Sequence, residues 1–186
     1  ALRAFFAGSA LVALGMILGR SWPRGRGVWL AIIGIGLGAT SLGFLGMFMA
    51  SEFILPGLAT VLANAQPLMA AALAIVVLGE RLGGRGKAGL ALGFIGILLI
   101  AAPQYQAPAG NTFVLGASYI LLAAVGITIS NVLIRALAER ADTLMAMGSQ
   151  MLIGGVPLTV GAVLYEDPMS VTFSPQFILI LLTISL

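Results

Sequence analysis

Long apolar stretches separated by short charged breaks organise this chain. Residues 27–51, 53–79, 88–134 and 143–165 contain no Asp, Glu, Lys or Arg. A helix needs about 20 apolar residues to cross a bilayer. So many uniformly apolar helices have no place in a soluble domain of 186 residues. The pattern predicts seven membrane segments: 2–19, 28–50, 55–79, 88–102, 113–134, 143–165, and a seventh that begins near Gln176 and runs to the end of the sequence. The fourth is short, and extension from Gly86 brings it closer to a full span. The Pro-rich linker 102–111 interrupts what is otherwise one very long apolar block. The fold class expected is therefore all-α, a polytopic helical membrane protein.

The charges in the breaks alternate. Arg20, Arg24 and Arg26 follow the first segment. Arg81, Arg85 and Lys87 follow the third with Glu80, and Arg135 and Arg140 follow the fifth with Glu139 and Asp142. The other breaks hold Glu52, then no charge, then Glu166 and Asp167. Eight of the 9 basic residues thus fall on one side, with Arg3 on the other. Cytoplasmic loops are enriched in Lys and Arg, so the loops with Arg20, Arg81 and Arg135 are read as cytoplasmic. Trp22, Trp29, Tyr105 and Tyr165 fall near the expected interfaces. This distribution accounts for the net charge of +3 without a nucleic-acid partner.

Composition narrows the chemistry. The chain is 60% hydrophobic and 8% charged, against roughly a quarter charged in soluble domains. It has no Cys and no His, and its 6 carboxylates lie near segment ends. A membrane-embedded enzyme needs acids or histidines grouped at one depth, so no enzyme and no cofactor or metal site is expected. GGRGK at 83–87 lacks the full phosphate-loop pattern and the strand before it, which excludes ATP binding there. The 25 glycines, among them Gly34, Gly36, Gly38, Gly89 and Gly93, allow helices to approach closely. Their faces serve packing within the bundle or a homodimer.

GSALVALG at 8–15 resembles GSQMLIGG at 148–155, an offset of 140 residues. The two copies lie on segments of opposite direction, the arrangement of inverted repeats in secondary transporters. The chain starts on Ala1 and stops inside an apolar run, and it reads as an internal piece of a longer protein.

The stretch LPGLATVLANAQPLMAAALAIVVLGERLGGRGKAGLALGFIGILLI, residues 55–100, resembles the EamA-type domain of drug/metabolite transporters. The likeness rests on the small-residue helix Ala59 through Ala65, Pro67 within it, the Gly79-Glu80-Arg81 turn, and the glycines Gly89, Gly93 and Gly96. The Leu2-Arg3-Ala4-Phe5 opening resembles the start of that family's second helix, and residues 131–155 resemble the junction of its sixth and seventh. The resemblance implies a ten-helix bundle of two inverted five-helix repeats. This chain then holds a first repeat without its first helix over 1–103, and a second, cut in its third helix, over 104–186.

Six residues are expected to contact substrate. Arg3 is the external basic residue, and its family-like position implies contact with an anionic group in a cavity; the alternative is an Arg that snorkels to the surface. Asn64 and Gln66 carry amides that lipid cannot satisfy. They lie about 200° apart around a helix, so one lines a cavity while the other bonds a neighbouring helix. Pro67 frees a carbonyl near Ala63 and kinks the helix. Gln150, beside Ser149 in the second repeat copy, is an amide within a span. Asn131 sits in a polar patch with Thr128 and Ser130, and Tyr119 offers a ring for stacking or for packing. Glu52 is read as a solvated turn acid.

The expected function is transport of a small organic solute across the cell inner membrane by alternating access. The resemblance implies export of an amino acid or related metabolite, with the lipid bilayer and the solute as partners. The rival is a non-transporting helical scaffold or receptor.

Overall fold

The computed structural model describes residues 2–77, 83–105, 110–165 and Thr183, and its described elements are helices throughout. In chain order they are α1 (Leu2–Ile17), α2 (Arg26–Ile35), a π-helical segment (Gly36–Leu42), α3 (Gly43–Ser51), α4 (Pro56–Ala63), α5 (Ala65–Val77), α6 (Gly84–Tyr105), α7 (Gly110–Leu137) and α8 (Thr143–Tyr165). Arg26–Ser51, Gly84–Pro103, Thr112–Leu137 and Thr143–Leu164 are each long and apolar enough to cross a bilayer. Together with the apolar side chains exposed along them, such as Leu92, Leu98 and Leu99 on α6, they make this a multi-pass membrane protein. The Gly79-Glu80-Arg81 turn, Glu166, Asp167 and the segment from Gln176 lie outside the described residues, Thr183 excepted.

Two expected spans differ in detail. The third divides at Asn64 into α4 and α5. Pro67 is the third residue of α5, where its missing N–H costs no internal helix bond. The break falls upstream, and the Asn64 backbone N–H is shared between the carbonyls of Thr60 and Val61, each at 3.2 Å. The second span is continuous over 26 residues, but its centre widens into the π-helix. Such widenings are rare and often mark functional positions.

Contacts divide the chain into two compact units, residues 1–41 with 130–186, and residues 42–129. In the first unit α1 and α8 pack antiparallel. A methyl group added at Gly155 would lie 3.2 Å from the Phe5 ring, and one added at Gly15 would collide with Met145. A methyl at Gly148 would lie 2.7 Å from Val12, and one at Gly8 would lie 3.0 Å from Leu152. These contacts pair off under the same offset that relates GSALVALG to GSQMLIGG, so the two segments meet through equivalent positions. Val28, Ile32 and Ile35 fall on one face of α2 and bury with Leu137 and Ala146.

At the end of the first unit that carries its basic loops, Arg20 reaches Asp142 at 3.7 Å. Asp142 also accepts the backbone N–H groups of Leu144 at 3.0 Å and Met145 at 3.2 Å, which caps α8. The ion pair is half exposed on the Arg20 side and contributes little. The cap satisfies two amides that α8 cannot satisfy itself. Asp142→Ala is expected to cost about 1 kcal/mol, while Asp142→Asn, which keeps the cap oxygen and loses the charge, stays near wild type. Thermal unfolding in detergent distinguishes the two; equal losses would reassign the role to the ion pair.

The second unit is held by Ala50, Ile54, Leu62, Phe113 and Ile120. A methyl at Gly46 would sit 2.6 Å from the Tyr119 carbonyl oxygen. One at Gly93 would sit 2.7 Å from Leu68, whereas Gly89 faces open space. Of the two glycines in GLALG, Gly93 is therefore the one used for packing.

Candidate functional site

The first unit contains a buried polar cluster where the π-helix meets α8. The sequence GLGATSL places two hydroxyl residues, Thr40 and Ser41, after two glycines. Glycine at 36 lets the backbones touch: a methyl there would lie 2.6 Å from the Gln150 carbonyl oxygen. At this approach the Thr40 hydroxyl donates to Gln150 Oε1 at 2.9 Å. The Ser41 hydroxyl donates to the Gly154 carbonyl at 2.8 Å and lies 3.4 Å from the Gly36 carbonyl five residues back. One turn further, Ser130 on α7 bonds the Ile35 carbonyl at 3.4 Å. Thr40, Ser41, Ser130, Ser149 and Gln150 are all buried.

Pro157 shapes the α8 side. It leaves the Ile153 carbonyl without its helical N–H partner. The next carbonyls, of Gly154 and Gly155, receive the hydroxyls of Ser41 at 2.8 Å and Thr159 at 2.9 Å. Side-chain hydroxyls thus cover a weakened stretch of helix that lipid could not solvate.

Gln150 is 6% exposed and lines a cavity of about 90 Å³. Ile35, Ile134, Leu137, Ala146 and Met147 supply apolar walls, and the cavity extends along α8 as far as Thr143. Seven residues of helix span roughly 10 Å, so Gln150 lies about two turns inside the helix start. The volume equals roughly three waters. Thr40 occupies Gln150 Oε1, and the side-chain amide brings an N–H donor group to a residue that lines this cavity. Among the described residues no charged side chain lines the cavity. The neighbouring Ser149 hydroxyl is buried without a partner among the described residues. The arrangement can take up an oxygen acceptor in an apolar, uncharged setting.

The six expected residues are distributed over both units. Of the three in the first, Gln150 stands in the cluster, while Arg3 in the first turn of α1 and Asn131 on α7 are exposed. In the second, Asn64 is exposed and its Nδ2 bonds the Thr60 carbonyl of its own helix at 3.1 Å. Gln66 is half-buried, and Tyr119, also half-buried, stacks on Phe53 with ring centroids 6.1 Å apart. The expectations passed over Thr40 and Ser41. Their signal was a hydroxyl pair mid-span, directly after Gly36 and Gly38.

Residues 1–102 match the EamA-like transporter family. A WAT1-related chloroplastic protein of Arabidopsis thaliana is 37% identical over 173 residues, which cover 90% of this chain and 41% of that protein. An uncharacterized transporter of Synechocystis is 32% identical over 152 residues, 75% of this chain and 46% of its own length. The chain spans less than half the length of either relative. No solved structure matches it.

Proposed function

We propose that this chain, which belongs to the EamA-like transporter family, forms part of a secondary transporter that moves a small organic solute across the cell inner membrane by alternating access, with the Gln150 amide as a substrate contact. The family is one of transporters rather than enzymes. The observation that carries the reading is the buried Gln150, whose Oε1 is held by Thr40 and which lines a cavity.

The chemistry of the walls narrows the solute. A net charge taken into an apolar cavity without a counter-charge is costly, and no charged residue among those described lines this one. The solute is therefore a net-neutral amino acid or related metabolite, presenting a carbonyl or carboxylate oxygen to Gln150. The direction, export, follows the family resemblance. The matched contacts between α1 and α8 support two inverted repeats, 1–103 and 104–186, as halves of a ten-helix bundle. Those halves would rock about sites near the membrane midplane.

The test uses the full-length protein in liposomes loaded with neutral, acidic and basic amino acids. Saturable efflux of the neutral set, ahead of both charged sets, is the expected result. Equal leakage of all three would point to a pore. No efflux of any would favour a scaffold or receptor.

A further inference from the structure

A second feature of the first unit lies outside the Gln150 cluster. Gly25, Arg26, Trp29, Leu30 and Ile33, all from α2 and the residue before it, line a shallow, widely open groove of about 530 Å³. Arg26, Leu30 and Ile33 are spaced four and then three residues apart, so they lie on one helix face. The groove begins at a cation and continues along exposed aliphatic side chains, with Leu30 69% exposed. Seven residues of helix carry it roughly 10 Å along the axis.

The mouth is aromatic and basic. Trp22 and Trp29 stand 6.2 Å apart between ring centroids, tilted by 43°. Tryptophan favours the headgroup level of a bilayer. Arg20, Arg24 and Arg26 fall within seven residues, and the first 51 residues hold no Asp or Glu. Asp142 engages Arg20. No ion pair to Arg24 or Arg26 is found among the described residues, and both side chains are exposed.

We propose that this groove is a binding site for an anionic phospholipid of the cytoplasmic leaflet. Arg24 and Arg26 meet the phosphate-bearing headgroup, the two tryptophans flank it at the interface, and Leu30 and Ile33 take the first part of an acyl chain. Charge complementarity selects an anionic over a zwitterionic lipid, because the loop supplies cations with no acid of its own. The aliphatic continuation selects a lipid over free phosphate, which has nothing to place against Leu30 and Ile33. An open groove also suits a ligand that enters sideways from the bilayer. This site is independent of the transport reading.

Trp29 lines the groove, with the Trp22 ring 6.2 Å away, so Trp29 fluorescence reports it. The full-length protein is placed in vesicles containing brominated phosphatidylglycerol or brominated phosphatidylcholine, with Trp29→Phe identifying the signal that belongs to the site. The anionic lipid is expected to quench preferentially, by roughly fivefold in relative affinity for each arginine. Arg24→Gln with Arg26→Gln should abolish the preference while quenching by phosphatidylcholine persists, which also shows that the variant is folded and inserted. Arg24→Lys with Arg26→Lys should retain most of it. Equal quenching by the two lipids, or a preference unchanged in the glutamine variant, would overturn the proposal. So would loss of the preference on adding inorganic phosphate at constant ionic strength.

Discussion

Gly154→Ala is expected to destabilise the protein by about 3 kcal/mol, through overpacking at a site that cannot relax. The added methyl would collide with the Gly36 carbonyl oxygen and lie 2.5 Å from Thr40 Cβ. The obstacle on the Gly36 side is backbone, so no side chain can rotate away. The π-helix and α8 would have to separate, and the bonds from Thr40 to Gln150 at 2.9 Å and from Ser41 to Gly154 at 2.8 Å would lengthen with them. Each such bond contributes about 1 kcal/mol. Alanine gains back about 1 kcal/mol of helix propensity over glycine, which does not offset these losses. Gly36→Ala should behave alike, since its methyl would face the Gln150 carbonyl oxygen at 2.6 Å. Gly89→Ala is the control: nothing lies within 4 Å of its added methyl, and it should be neutral or slightly stabilising. Unfolding of purified variants in detergent decides the matter. A Gly154→Ala protein as stable as Gly89→Ala would show that the contact between the π-helix and α8 is not tight.

The helices of this protein were legible because lipid imposes a simple rule. Every backbone polar group must be satisfied inside a span, so apolar length and charged breaks mark helices directly. The sixth segment, 143–165, has the same bounds as α8. The basic loop after the first segment and the loop after the fifth meet through Arg20 and Asp142, as their shared assignment to one side requires. The match between residues 8–15 and 148–155 was visible as spacing, and those segments touch.

The π-helix was not legible. Moving from a four-residue to a five-residue hydrogen-bond repeat over Gly36–Leu42 changes neither hydropathy nor charge. It coincides with the approach of α8, more than a hundred residues away. Thr40 and Ser41 were missed for the same reason, since a lone hydroxyl in a membrane helix can bond its own backbone. Only the position of Gln150 and Gly154 shows that the shorter contact of each hydroxyl runs across to α8. Conversely, Asn64 attracts notice as an amide within an apolar run, and the structure uses it at the α4–α5 break, bonded to its own helix.

Gln150→Leu separates the architectural part of this residue from its proposed part in transport. The substitution keeps similar bulk within α8 but removes the acceptor for Thr40. The Thr40 hydroxyl has a local alternative, the carbonyl four residues back in its own segment, so the stability cost should stay near about 1 kcal/mol. Leucine offers no replacement for the Nε2 donor. Loss of a hydrogen bond to the solute is expected to lower transport at subsaturating substrate by roughly tenfold. Thr40→Val should lower stability similarly while keeping the Nε2 donor, with a smaller effect on transport. The double variant then reads the coupling between the two residues. Non-additive stability would place Thr40 and Gln150 in one bonded pair. Reduced initial efflux in Gln150→Leu, but not in Thr40→Val, would assign the transport effect to the amide. If Gln150→Leu transports at the wild-type rate, the cluster only ties the π-helix to α8, and the solute must be held by other residues.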